Sequence, residues 1–191
     1  MTDDPVELIA DWLPGVPGQD GYFPVMSLAT VDGDGAPDVR TVLLSQIISG
    51  GMAFHTDSDS LKVQQLRRTP TAALLLHLPD QARQIVVRGL VTEQSEPDLA
   101  ASYASRTRYL QLLAWLNTPE LAGLPEPERR TRWAAFAAEH PAGSLRAPPQ
   151  WTGFVVVPQR ITLWQGHFDG PSHRIDYTAS AAGWTSVELP G

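Results

Sequence analysis

Apolar and polar positions keep a short, strand-like rhythm through residues 22–92, turn helical between Glu96 and Glu139, and become strand-like again beyond Pro149. Ahead of these blocks, Val6–Leu13 has helical periodicity and stops at Pro14-Gly15. The first block predicts five strands, over 22–31, 38–48, 52–56, 71–77 and 85–92. Asp32-Gly33-Asp34-Gly35 turns the first strand into the second, and Ser49-Gly50-Gly51 turns the second into the third. One helix, about 60–68 and closed by Pro70, interrupts them. The middle block predicts helices over 98–105, 108–116 and 126–139, separated by Pro119, Pro125 and Pro127. Short strands over 154–157, 160–165, 175–178 and 184–187 complete the chain. Closely spaced strands with one inserted helix suit an antiparallel barrel better than a doubly wound sheet. The expected architecture is a single α+β domain over 1–191, its helical block an insertion at about 96–140.

Composition narrows the function classes. The 14 Lys and Arg against 21 Asp and Glu leave a formal charge of −7, which argues against a nucleic-acid binder. The absence of cysteine excludes disulfides, thiolate metal sites and thiol redox chemistry. Five scattered histidines without ligand spacing give no expectation of a metal. No apolar run reaches membrane-span length and the first residues lack signal-peptide character, so a cytoplasmic protein is expected.

Two stretches carry candidate chemistry. Arg40 sits on an otherwise aliphatic strand, where an unpaired guanidinium is costly. The helix opening at Ser58-Asp59-Ser60, with Lys62 in its first turn and Thr56 just before it, offers amides, hydroxyls and a charge. Together they could cradle one phosphate monoester. Equally, Ser58 or Asp59 could cap a surface helix, with Lys62 solvated and Arg40 paired to a nearby Asp. Trp164, at a strand end beside polar loop residues, could cover a flat ligand or fill the core. Gln84 reads as a pocket amide or a strand-edge residue, and Arg106 and Arg108 as a solvated helix face. No nucleophile–base set and no paired carboxylates emerge, so an enzyme built this way would take its difficult chemistry from a cofactor.

The ordered set Arg40-x-Val42-Leu43-Leu44, Thr56 with Ser60 and Lys62, Gln84-Ile-Val-Val-Arg-Gly, Tyr103-Ala-Ser-Arg106, Ala114-Trp115, Trp151-x-Gly-Phe and Trp164-Gln165-Gly166 with Arg174 resembles the pyridoxamine 5′-phosphate oxidase family. The resemblance runs from about residue 22 to the C-terminus. It implies a split β-barrel homodimer with FMN at the interface. By that resemblance Arg40, Lys62 and Ser60 hold the FMN phosphate, while Val42, Leu43, His55 and Thr56 line the ribityl chain and ring edge. Gln84 addresses the ring, and Trp164 and Arg174 reach it from the second protomer.

The departures fall on the substrate side. Ser45 stands where the family has Lys, and Gly170-Pro171-Ser172 where it has Arg-x-His. Leu110 and Leu113 replace Ser and Gly, Leu61 replaces a basic residue, and Pro119-Glu120 a Gln-Ser pair. Tyr103 and Arg106 remain as candidate substrate contacts, with Ser45 beside them. Losing several charge-assisted hydrogen bonds of about 1.5–3 kcal/mol each argues against pyridoxamine phosphate as substrate. Ser at position 45 is similar to the phenazine-biosynthesis branch, which makes an apolar substrate the expectation. The chain therefore reads as an FMN-dependent oxidoreductase acting on a small molecule, with dioxygen as the expected acceptor. The alternatives are a flavin-binding split barrel without turnover, and a reductase using the deazaflavin F420.

Overall fold

A computed structural model describes residues 4–48 and 50–191. Ser49 of the expected turn lies outside the described residues, as do Met1, Thr2 and Asp3. The elements are α1 (Pro5–Trp12), β1 (Val25–Val31), β2 (Pro37–Leu43), β3 (Gln46–Ile48), β4 (Gly51–Asp57), α2 (Leu61–Arg68), β5 (Thr71–Leu78) and β6 (Arg83–Glu93). Then come α3 (Glu96–Ala104), α4 (Arg108–Leu116), α5 (Pro119–Ala122), α6 (Glu126–Glu139), β7 (Trp151–Gln165), β8 (His173–Ser180) and β9 (Gly183–Pro190). No helix among the described residues is long and apolar enough to cross a membrane.

All nine strands pair antiparallel in one sheet, ordered β2-β1-β5-β6-β7-β4-β3, with β8 added to β7 and β9 to β8. The 15-residue β7 explains why the barrel is split. Its first half, Trp151–Val156, pairs with β4, and its second half, Arg160–Gln165, pairs with β8. Between the halves the register with β6 slips, where Arg88 faces Arg160 but Gly89 faces Pro158. Pro158 has no N–H to give the ladder, so a bulge is where a strand can carry it. A Cβ on Gly89 would stand 1.9 Å from the Val157 carbonyl oxygen, so only glycine fits opposite the bulge. The sequence signal at Pro158-Gln159 read as a gap between two strands; the bulge joins them into one.

The expected strand 38–48 divides for the converse reason. Leu44 and Ser45 leave β2 as their amides turn to the carbonyls of Pro24 and Ala53, each at 2.8 Å. The chain thereby exchanges β1 for β4 as its neighbour. The continuous aliphatic run, with Leu44 fully buried, carries no local mark of that exchange.

Core residues from every layer, among them Leu28, Phe54, Leu74, Ile85 and Ile161, have no exposed surface. Ile9 of α1 and Val63 of α2 plug the barrel and are equally buried. The helices begin where capping chemistry allows: the side chains of Ser95, Thr107 and Thr118 accept from the amides of Asp98, Leu110 and Leu121. One-turn α5 was not expected, because Pro119 reads as a break although it also suits the first helical position. The α6 helix buries no residue fully; it leans on α4 through Tyr109 against Trp133 and Trp115 against Phe136.

Candidate functional site

β2 and β4 approach one another without pairing, and this seam, roofed by α2, α4 and α5, opens a cavity of about 820 Å³. That volume lies in the range of small-molecule and cofactor sites. Thr41, Val42 and Leu43 line it from β2, and His55, Thr56 and Asp57 from β4. Asp59, Ser60 and Lys62 contribute from the start of α2, and Leu110, Leu113 and Ala114 from α4. Arg106, Glu120 and Trp151 complete its polar and aromatic wall.

At the α2 side, Ser60 is the N-cap residue but its side chain makes no cap bond, since its hydroxyl donates to the Asp57 carbonyl at 2.7 Å. Neither Ser58 nor Asp59 caps the helix, so the first-turn amides carry no side-chain cap. Lys62 Nζ donates to Thr56 Oγ1 at 3.0 Å. Among the described residues Lys62 forms no ion pair. Burial, and after it the Arg40 guanidinium, push its ammonium below the usual lysine range, with Asp57 opposing. A half-buried cation under this pressure is relieved by an anion.

Arg40 is differently placed. Its two Nη atoms reach Asp38 at 2.5 Å, Thr30 Oγ1 at 2.5 Å and Gln65 Oε1 at 2.9 Å. It does not line the cavity. The paired alternative read from the sequence holds for its contacts, while its positive field still reaches Lys62.

Toward α4 the aromatic residues organise the wall. His55 lies flat on Trp151, ring centroids 4.9 Å apart and planes 3° from parallel. Its Nδ1 meets the Ser45 hydroxyl at 2.9 Å. Burial, then the neighbouring Arg106 charge, push the imidazole down to about 3, so it is neutral across the physiological range. Ser45 is itself buried, committed to His55 and absent from the cavity wall. Its hydroxyl contacts a residue of that wall. Tyr103, also expected at the substrate, sits behind Trp151 at 5.5 Å and donates its hydroxyl to the Gln111 carbonyl at 3.0 Å. Of the three expected substrate residues, only Arg106 lines the cavity. Its guanidinium lies 4.7 Å from the Trp151 ring centroid and 5.6 Å from that of Phe23. Its Nε and Nη1 are buried without a hydrogen-bond partner.

Gln84, Trp164 and Arg174 do not line this cavity. Gln84 pairs with Trp164, and Trp164 with Arg174, so the three form one row on one face of β6, β7 and β8. The structure thus groups Gln84 with Trp164 and Arg174 on one protomer, where the resemblance had Gln84 address the ring and only Trp164 and Arg174 reach it from the second protomer. Arg174 Nε is buried and unpartnered. Trp151 is the wall residue that sequence reasoning passed over as a site; it starts β7 beside a polar loop, the counterpart of the strand-end position that marked Trp164.

An antiparallel split barrel with a cavity at its seam defines the structural class. The profile of the family described as pyridoxamine 5′-phosphate oxidase matches residues 21–164. The pyridoxine/pyridoxamine 5′-phosphate oxidase of Caulobacter vibrioides is 34% identical over 191 residues, covering 98% of this chain and 85% of that protein. The protein of the same name from Rhodospirillum rubrum is 36% identical over 194 residues, covering 97% and 96%. This chain belongs to the pyridoxamine 5′-phosphate oxidase family. Among solved structures, PhzG of Burkholderia lata 383, in complex with tetrahydrophenazine-1-carboxylic acid, shares the fold at a TM-score of 0.79 and 22% identity, over 100% of this chain and 94% of that one. A pyridoxamine 5′-phosphate oxidase-related, FMN-binding protein of Nostoc punctiforme shares it at 0.71 and 20% identity, over 86% and 87%.

Proposed function

We propose that this protein is an FMN-dependent oxidoreductase that acts as a homodimer on a small-molecule substrate. The observation that carries the proposal is Lys62, a half-buried cation in the seam that forms no ion pair among the described residues, beside a helix start whose amides carry no side-chain cap. Those groups have the chemistry to hold the FMN phosphate: Lys62 as the charge, Thr56 and Ser60 as hydroxyl donors, and the α2 amides behind them. Arg40 supports the same end through its field, from a side chain held by Asp38 and Gln65. Val42 and Leu43 supply an apolar wall.

Gln84, Trp164 and Arg174 lie away from the cavity yet belong to the expected flavin set, which favours their service to the site of a second copy. An isologous pair would bring each row to its partner's seam and make two equivalent sites. Bound FMN would supply the acceptor for a hydride from the substrate, with dioxygen expected to take the electrons onward. The chain's own residues position the substrate, exclude water and set the local charge. His55, neutral and fixed between Ser45 and Trp151, adds a rigid polar surface and no charge.

The absorption spectrum of the purified protein, before and after adding FMN, tests the cofactor. A flavin band that remains with the protein through gel filtration is expected; a colourless protein after FMN addition overturns the proposal. Anaerobic addition of candidate amines, alcohols and dihydro-aromatics then tests turnover. Bleaching that air reverses is expected of an oxidase, whereas a flavin carrier stays yellow with every donor.

A further inference from the structure

Lys62 is the only lysine in the chain; every other residue in its Lys and Arg total is an arginine, which stays protonated and is no nucleophile. Three features of its place act on that one amine together. It lines the seam cavity half-buried, so its ammonium is partly stripped of water. It stands in the first turn of α2, at the positive end of the helix dipole, and that turn holds no acidic residue. Among the described residues its ammonium bonds the Thr56 hydroxyl and forms no ion pair. Asp57 and Asp59 line the same cavity, yet neither forms an ion pair with it. Burial, then the Arg40 guanidinium, keep the ammonium below the usual lysine range against the pull of Asp57. Desolvation and a neighbouring cation are the two conditions that make a lysine nucleophilic.

We infer that Lys62 is a reactive amine which, in the protein without FMN, condenses with a small uncharged aldehyde and so closes the seam to the FMN phosphate. The step needs no further reagent. The neutral amine attacks the carbonyl carbon, its two protons pass to the carbonyl oxygen, water leaves and a C=N bond forms, with nothing oxidised or reduced. The cavity of about 820 Å³ has room for the adduct, and Val42 and Leu43 offer hydrocarbon to an alkyl chain. Charge sets the choice of aldehyde. An unprotonated imine no longer offsets Asp57 and Asp59, and Arg40 is already paired with Asp38. That part of the cavity then disfavours a further anion, whether on the aldehyde or on FMN. Only the competition rests on the FMN reading; the reactivity of the amine does not.

Butanal and 4-oxobutanoate, equal in chain length and differing by a carboxylate, are the probes, with cyanoborohydride to fix any imine as a secondary amine. Peptide mass mapping separates Lys62 from the α-amino group of the chain, and each rate at Lys62 is normalised to that of the urea-unfolded chain. Without FMN, butanal is expected to modify Lys62 faster in the folded than in the unfolded chain, and 4-oxobutanoate to lag behind butanal. Saturating FMN is expected to abolish the Lys62 adduct, and protein modified beforehand to lose FMN binding. The same treatment of Lys62→Arg, which keeps the cation and removes the amine, is expected to leave its FMN binding as it was; the wild-type series decides alone if that variant does not fold. Slower modification of Lys62 in the folded chain, or a preference for 4-oxobutanoate, overturns the inference. Modified protein that still loads FMN, or FMN that binds without protecting Lys62, overturns the closure of the seam. A protein that refuses FMN yet traps butanal at Lys62 overturns the cofactor reading and leaves the reactive amine standing.

Discussion

Replacing Lys62 by Met removes the cation from the α2 side of the seam while keeping most of the side-chain volume. Among the described residues its ammonium touches Thr56 Oγ1 and no carboxylate, so what is lost on phosphate binding is one charge-assisted hydrogen bond. Such bonds contribute about 1.5–3 kcal/mol, which predicts FMN binding weakened by about 10- to 150-fold. The stability of the protein without FMN should move the other way. Burial and Arg40 lower the folded-state pKa of Lys62 below its ordinary 10.5, so the charged form is disfavoured in the folded chain. That penalty is fully present at neutral pH and disappears as pH rises past the unfolded value. Lys62→Met should therefore melt, without FMN, no lower than the parent, while binding FMN far more weakly. Quenching of FMN fluorescence on titration gives the affinity, and a thermal melt without FMN gives the stability. Affinity within about twofold of the parent would refute the phosphate cradle. A lowered melting temperature without FMN would refute the charge argument.

Arg40→Met should separate from Lys62→Met in both readouts, because its guanidinium serves Thr30 and Gln65, which are almost completely buried; a loss of about 1–3 kcal/mol of folding stability by denaturant titration is expected, with a smaller effect on FMN than Lys62→Met. Acid should weaken the fold through His55. Its folded value of about 3 lies below the unfolded 6.5, so its contribution is complete above pH 6.5 and declines below it, by about 2 kcal/mol at pH 5. His55→Gln should flatten that part of the pH–stability curve, and an unchanged slope counts against a buried neutral imidazole. Gly153→Ala would place a Cβ 2.3 Å from Gln94 Oε1 and 2.6 Å from His55 Cδ2, and His55 is pinned by Ser45 and Trp151. A fall of about 1–3 kcal/mol in stability is expected. Mixing Lys62→Met with Arg174→Ala after unfolding and refolding should restore roughly a quarter of the tight FMN sites, since each mixed dimer rebuilds one intact site. No recovery at all refutes a site shared between protomers.

The hydrophobic rhythm determined most of the secondary structure, because strand and helix periods are local properties. The α4 span 108–116, the α6 span 126–139 and the early strands, apart from the division of 38–48 into β2 and β3, are legible for that reason, and so is the helix start that presents Ser60 and Lys62 to the seam. Side-chain type alone also marked Arg40 and Lys62 as a candidate anion cradle, whereas it read Arg106 as part of a solvated helix face. It could not decide their partners. Arg40 meets Gln65 and Thr30 only because α2 and β1 pack beside β2, and Arg106 meets Trp151 only because β7 returns next to β4. Register likewise put Gln84, Trp164 and Arg174 in one row, although 80 residues of sequence separate the first two. The division at Leu44-Ser45 and the bulge at Pro158 belong to the same class of fact: each depends on which distant strand lies alongside. Ser45 shows the difference most directly. The resemblance marks its position as a candidate substrate contact, while only packing shows that it is buried with its hydroxyl against His55 of the cavity wall.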